Sequence, residues 1–248
     1  MIEIYCENKE QLYDCLPGVK LSELLTQINI DTKYPILAAI VDNQLKELSF
    51  EIYMPHNIKF IDYSHPDGAR TYIRSLNFVL QKAVYDLYPN QSLVIDYNLQ
   101  NGMYAELREM GYKENGAPKT FNLNTDDLTK IKMRMQEIIS ADLPFTRKKI
   151  RTESAAALFE SKNRYEKAFL HKQRGKFFTT VYFLDGYPDH YYGPLVESTA
   201  ALKSWDIELF SRGLLIKSPS VTSPYVLSHT PYQYKLFDVF KEYSDWCS

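Results

Sequence analysis

Residues 71–89 read TYIRSLNFVLQKAVYDLYP. Ile73, Leu76, Leu80, Ala83 or Val84, and Leu87 recur at three- and four-residue steps, which places them along one side of an α-helix. Pro89 stands where such a helix ends, because a proline cannot continue the pattern. A second stripe, Arg74, Phe78, Lys82 and Tyr85, runs beside the first and mixes cations with aromatic rings. Core packing alone does not call for an arginine there, so this face is a candidate wall of a binding pocket.

Upstream, Ile2, Ile4 and Cys6 alternate with Glu3 and Tyr5, the pattern of a half-buried strand. Residues 12–16 can return as its hairpin partner. Leu21, Leu24, Leu25 and Ile28 make a short helical stripe, and Ile36–Val41 is continuously apolar, as in a central strand,. Two extended pieces follow, near Phe50–Tyr53 and Ile58–Ile61. Strand, strand, helix, then strands is the order of a β-grasp fold over residues 1–62. Residues 62–70, DYSHPDGAR, carry turn-forming residues and read as a linker,.

Downstream, a short strand at Leu93–Asp96 and a tight turn at Asn101-Gly102 are expected, then a polar loop over 113–124 with a short strand at Lys119–Leu123,. Thr125 is a suitable N-cap for a helix carrying Leu128, Ile131, Met135, Ile138 and Ile139 on one face,. Residues 146–152, TRKKIRT, read as a strand, which at period two puts Arg147, Lys149 and Arg151 on one face,. That stripe is a candidate RNA or phosphate patch; a charged sheet edge that deters pairing with other chains is the alternative. Helices are expected around Glu153–Glu160 and Tyr165–Gln173, and strands at Phe177–Leu184, Leu202–Phe210 and Leu214–Lys217. DGYPDHYYGP (185–194) and residues 218–231 read as turns and loop, and residues 230–248 as a final helix,. The predicted class is α+β.

The bulk composition is that of an ordinary soluble globular protein: 248 residues, 45% hydrophobic, 24% charged, net charge −2,. The near-zero charge gives no global pull toward nucleic acid or an anionic membrane, so such binding must come from a local patch. Cys6, Cys15 and Cys247 share no metal-ligand spacing; they read as reduced thiols of a cytoplasmic protein, with a Cys6–Cys15 bridge across neighbouring strands as the alternative. Nothing approaches the roughly 18 consecutive apolar residues of a membrane helix. Twenty tyrosines are unusually many and suit either core or contact surface.

The opening strand, the helix LSELL and the segment VDNQLKEL resemble the TGS domain that begins threonyl-tRNA synthetases, with Val41, Asp42, Asn43, Glu47 and Leu48 matching its V-N-G-x-x-x-D-L. Residues 65–220 resemble the second additional domain shared by threonyl- and alanyl-tRNA synthetases, which edits mischarged tRNA. YIRSLNFVLQKAVYDLYP, IKMRMQEIISADLPFTRKKI with AAALF, and DHYYGPLVEST carry this likeness. The family's editing chemistry uses H-x-x-x-H on the helix and C-x-x-x-H on the loop. The corresponding positions here are Arg74, Phe78, Tyr191 and Leu195, so no catalytic residue and no metal site is expected.

The same arrangement with YYGPL resembles the N-terminal half of bacterial uridine kinase-like proteins, in which a P-loop kinase domain follows. KLFDVFKEYSDWCS resembles the helix leading toward it. These residues contain no G-x-x-x-x-G-K-[ST], so ATP and Mg are implied only for an attached kinase domain, and no cofactor is expected within this chain. The reading that follows is a non-catalytic binding or regulatory module. Its candidate ligand-binding residues are Arg74, Lys82, His190, Tyr191 and Tyr192, and its candidate partners are tRNA or another RNA, a nucleotide, a small anion and the kinase domain. Two alternatives stand beside it. One is a metal-free deacylase of mischarged tRNA that positions water with Tyr191, His190 or Asp185. The other is a docking or dimerisation module using the tyrosine-rich surface.

Overall fold

The computed structural model describes residues 1–99, 102–114 and 117–227, together with 235, 237–239 and 242. Asn101, His229, Cys247 and most of the predicted C-terminal helix lie outside the described residues; Lys235, Phe237, Asp238, Val239 and Glu242 are helical. The fold is α+β, as the order of sequence patterns predicts.

The first elements are β1 (Ile2–Cys6), β2 (Gln11–Cys15), β3 (Val19–Lys20), α1 (Leu21–Ile28), β4 (Ile36–Val41), β5 (Gln44–Lys46), β6 (Glu51–Ile52) and β7 (Asn57–Asp62). Five of the strands form a mixed sheet in the order β2-β1-β7-β4-β5, with β1 parallel to β7. A parallel pair flanked by two hairpins is the β-grasp topology. Leu21, Leu24 and Ile28 of α1 pack on Ile4, Ala39, Val41, Ile58 and Phe60 in one core. Cys6 and Cys15 are buried free thiols. The hairpin register pairs Ile2 with Cys15 and Cys6 with Gln11, which puts the two sulfurs at opposite ends of the ladder and leaves the disulfide alternative without geometry.

Next come α2 (Pro66–Leu87), β8 (Gln91–Leu99), β9 (Gly102–Glu114), β10 (Ala117–Thr120), α3 (Thr125–Ser140), β11 (Thr146–Arg151), α4 (Thr152–Glu160), α5 (Tyr165–Gln173), β12 (Phe178–Leu184) and β13 (Tyr187–Asp189). A 3₁₀ turn at Thr199–Ala201 precedes β14 (Asp206–Phe210), β15 (Gly213–Lys217), β16 (Pro219–Ser220) and β17 (Ser223–Leu227). One sheet runs β10-β9-β15-β14 with β8 on β9; a second runs β11-β12-β13. The 22-residue helix α2 lies in the middle of the larger core, with Leu76, Phe78, Val79, Leu80 and Ala83 fully buried against α3, β8 and the loop after β13.

Several expectations shift in the structure. Residues 66–70 are not linker but the first turn of α2. His65 is its N-cap, its ring Nδ1 accepting from the Asp67 amide, and Pro66 occupies the first turn, where a proline costs no hydrogen bond. The N-cap of α3 is Asn124 rather than Thr125, and Asp127 completes a capping box,. The expected polar loop at 113–124 is strand from its start to Thr120 apart from residues 115 and 116, which are not described. Strand also appears in two stretches rich in turn residues, as β13 and as the β16–β17 hairpin. Residues 202–205 are not strand, because the 3₁₀ turn ends at Ala201 and the β14 ladder begins at Asp206.

The two cores meet. Leu37 and Tyr63 belong to the larger one, and the Tyr63 hydroxyl donates to the Pro219 carbonyl at 2.6 Å. Glu47 accepts from the Tyr182 hydroxyl at 2.9 Å and lies 3.5 Å from the Arg147 guanidinium. Among the described residues no helix is long and apolar enough to cross a membrane.

Gly68 tests the α2 start. A Cβ there would lie 1.9 Å from the Asp62 carbonyl oxygen. Replacing a helical glycine with alanine ordinarily gains about 1 kcal/mol; here Gly68→Ala is expected to lower the urea midpoint instead. An unchanged or raised midpoint would show that the strand-to-helix junction is not so tightly closed.

Candidate functional site

The second stripe of α2 faces the segment that follows β13. Ser75 Oγ accepts from the Val196 amide at 2.9 Å. Arg74 donates from Nε to the Pro194 carbonyl at 3.1 Å and from Nη2 to Thr71 Oγ1 at 3.0 Å. Gly193 has φ +148°, and a Cβ on it would lie 3.0 Å from Arg74 Cζ; only glycine both adopts this backbone and leaves room for the guanidinium. These contacts bring Arg74, Phe78, Tyr191 and Leu195 to one place, with the Phe78 and Tyr191 rings 5.3 Å apart.

That place is filled. Phe78 is 0% and Leu195 1% exposed, and Phe78 also packs on Phe145 and Tyr187 at 5.7 and 6.2 Å. Tyr85 covers Tyr187 at 4.6 Å. A guanidinium, a phenyl ring, a phenol and an isobutyl group are not a donor set for a divalent metal, and the described residues hold no cluster of three or more His, Cys, Asp or Glu able to bind one. Burial, followed by the nearby Asp189 charge, pushes the Tyr191 phenol well above its ordinary range. It stays protonated near neutral pH. Arg74 keeps only neutral hydrogen-bond acceptors, and burial weighs against its charged form.

Asp189 is the polar centre of the neighbourhood. It is 0% exposed, ion-paired to Lys167 and to Arg164 Nη2 at 3.2 Å, and accepts from the His190 amide at 2.7 Å. Burial alone would raise its carboxyl; Lys167 and Arg164 outweigh that and hold it below the usual range. Arg164 also donates to the Pro188 carbonyl at 2.7 Å and lies over the rings of Phe159 and Tyr187. His190 Nδ1 donates to the Thr180 carbonyl at 2.7 Å, and its Nε2 faces Arg174 Nη1 at 2.8 Å. Burial and these cations lower its pKa, so a neutral ring with both nitrogens engaged is the resting state. Tyr192 is 82% exposed and lies beside His190 and under Arg174.

Lys82 is brought near but faces inward. It is 6% exposed and paired with Asp86 at 2.7 Å and Asp185 at 3.3 Å, and Arg134 shares Asp86 at 2.8 Å. Asp185 and Gly186 both have positive φ and form the two-residue turn joining β12 to β13,. Arg147, Lys149 and Arg151 do share a face of β11, an edge strand exposed along most of its length. Lys149 lies over the Phe178 ring at 5.6 Å. Arg164, Lys167 and Arg174, which surround His171, were not singled out from the sequence. Their spacing of three, four and three along α5 and its C-cap was the available signal,.

No family model matches the chain. It is similar to threonine–tRNA ligases: 24% identical over 205 residues to that of Clostridium kluyveri, 25% over 191 to that of Acetivibrio thermocellus and 27% over 172 to that of Syntrophotalea carbinolica. The matches cover 82%, 77% and 69% of this chain and 30%, 28% and 26% of those proteins. The chain thus spans less than a third of the length of the curated relatives it matches.

Removing the central carboxylate leaves two cations facing each other in a buried site, so Asp189→Asn is expected to cost about 3–5 kcal/mol in denaturant unfolding; a loss under about 1 kcal/mol would make the cluster peripheral. His171, 3% exposed, has its pKa lowered to about 4 by burial and by His190 and Arg174. The unfolded chain therefore takes up that proton first, near pH 6.5. Its contribution is complete above that pH and is lost as pH falls toward 4, while the Asp189 contribution is lost only below about pH 3.9. His171→Phe should flatten urea midpoints between pH 6.5 and 4; an unchanged slope would assign the loss to another group.

Proposed function

We propose that these residues form a non-catalytic RNA-binding module, with residues 1–62 as a TGS-like part and 65–220 as an editing-like part whose pocket has been filled. The observation that carries the reading is the convergence of Arg74, Phe78, Tyr191 and Leu195 at one buried place with no nucleophile, metal donor set or open volume between them. The relatives named above are ligases of threonine and tRNA, which makes tRNA the first partner to test. The cationic edge of β11 supplies the local patch that the net charge of −2 does not,. Among the described residues Arg74 has no carboxylate partner, which leaves its charge for a phosphate or other anion,.

The finer reading places this module beside a P-loop kinase domain. Its support is the resemblance of the YYGPL segment and of residues 235–248 to uridine kinase-like proteins. A parent reading frame that continues past Ser248 into a P-loop would support it; a stop codon or an unrelated sequence there would remove it.

Binding of a fluorescently labelled tRNA transcript, followed by anisotropy, tests the module. The expected outcome is an affinity that falls between 50 and 200 mM salt, as phosphate contacts require. Neutralising Arg147, Lys149 and Arg151 together should lower the salt slope by about one unit for each phosphate that is no longer neutralised. Arg74→Ala should weaken binding by about 1.5–3 kcal/mol if its interaction is charge-assisted. No binding at 50 mM salt, or binding indifferent to salt and to these four positions, would contradict the proposal.

A further inference from the structure

A groove of about 790 Å³ opens on another part of the surface, between the start of α4, the end of α5 and the strand that follows. Its size is within the range of small-ligand sites, roughly 300–1,000 Å³. None of the residues at the filled pocket of α2 lines it. Two of the residues that line it, Thr152 and His171, carry buried side-chain atoms with no hydrogen-bond partner, Oγ1 and Nδ1. Both residues are more than nine-tenths buried, at 7% and 3% exposure. A buried hydroxyl and a buried ring nitrogen left unpaired in one cavity are unfavourable unless something polar enters to meet them.

The groove's electrostatics state what that visitor is. The N-terminus of α4 opens into it, and no side chain caps that helix, so the first-turn amides after Thr152 and the positive end of the helix dipole favour an anion there. The Thr152 amide is held by the Phe177 carbonyl at 3.0 Å, which fixes the helix start against the opposite wall. Arg151 and Lys176 line the rim with exposed side chains, and Lys172 lines it while ion-paired to Glu160 at 2.5 Å. Glu153 is the one acid in the lining and is exposed, so the cations outnumber it. Two phenyl rings complete the lining: Phe177 is 89% and Phe178 52% exposed. Exposed phenyl rings beside cations are the pairing that stacks a nucleobase while holding its phosphate.

We infer that this groove binds a nucleoside phosphate group, as a free nucleotide or at an unpaired position of an RNA strand, with the phosphate at the α4 N-terminus and Thr152 and the base on Phe177 and Phe178. The RNA form rests on the proposed function; the free-nucleotide form does not.

Titrations of the full chain with inorganic phosphate, adenosine 5′-monophosphate and a single-stranded RNA octamer test the assignment. Thr152→Val removes only the unpaired hydroxyl, and should hold or raise the thermal midpoint while weakening all three probes about tenfold. Arg151→Gln with Lys176→Gln should weaken all three, and Glu153→Gln should strengthen them. Phe177→Ala should weaken the nucleotide and the octamer but leave phosphate unchanged. Nucleotide binding without octamer binding, weakened in Thr152→Val, supports the groove while counting against the RNA module. Octamer binding untouched by every one of these substitutions overturns the groove while leaving the module standing. Failure of all three probes to bind overturns the groove assignment outright.

Discussion

Asp189 buries a full negative charge between Lys167 and Arg164 and takes a third hydrogen bond from its neighbour's amide. Buried ion pairs add little net stability, because desolvation offsets most of the attraction, yet they fix geometry strongly because every other arrangement strands a charge. Here the fixed geometry ties α5 to the β12–β13 hairpin. With Asp189 held, Tyr191 and the chain after it can lie only against α2, where Arg74 and Ser75 receive them. The shape of the whole candidate site follows from that one carboxylate.

What the site then contains is side chains. A cleft able to position a water and a reacting ester needs open, polar volume, whereas Phe78, Tyr187 and Leu195 occupy this one at the density of a protein interior,. The polar groups that remain are already committed: both His190 nitrogens have partners, Tyr191 is held protonated, and Lys82 is consumed by two aspartates. Several buried side-chain atoms among the described residues lack partners, and two of them, Thr152 Oγ1 and His171 Nδ1, belong to residues lining the groove between α4 and α5. The groove and the exposed cationic edge of β11 are adjacent, since Arg151 belongs to both.

The sequence was most legible where one periodicity held over many residues. The stripes of α2 and α3 and the alternation in β1 could be read directly, because a single buried face dictates them,. Turn-forming residues misled in both directions. Pro66 and Gly68 start a helix, and Asp185 and Gly186 close a hairpin whose return strand is only three residues long. The stripe carrying Arg74 and Phe78 was visible, and the likeness to editing domains named the loop it meets. Sequence spacing could not say that Lys82 would be spent on Asp86 and Asp185, since those partners are chosen by tertiary packing. Nor could it foresee the Asp189 cluster, whose cations sit 22 and 25 residues away in the chain.

On the proposed function, the molecule binds RNA through its surface while the filled editing-like pocket leaves the bound tRNA unchanged. The most direct measurement incubates the chain with a mischarged aminoacyl-tRNA and follows the ester bond beside the bound fraction. The account predicts bound tRNA whose ester decays no faster than in buffer, with Tyr191→Phe making no difference. Ester loss well above the spontaneous rate, abolished by Tyr191→Phe, would contradict it and make the pocket a working active site.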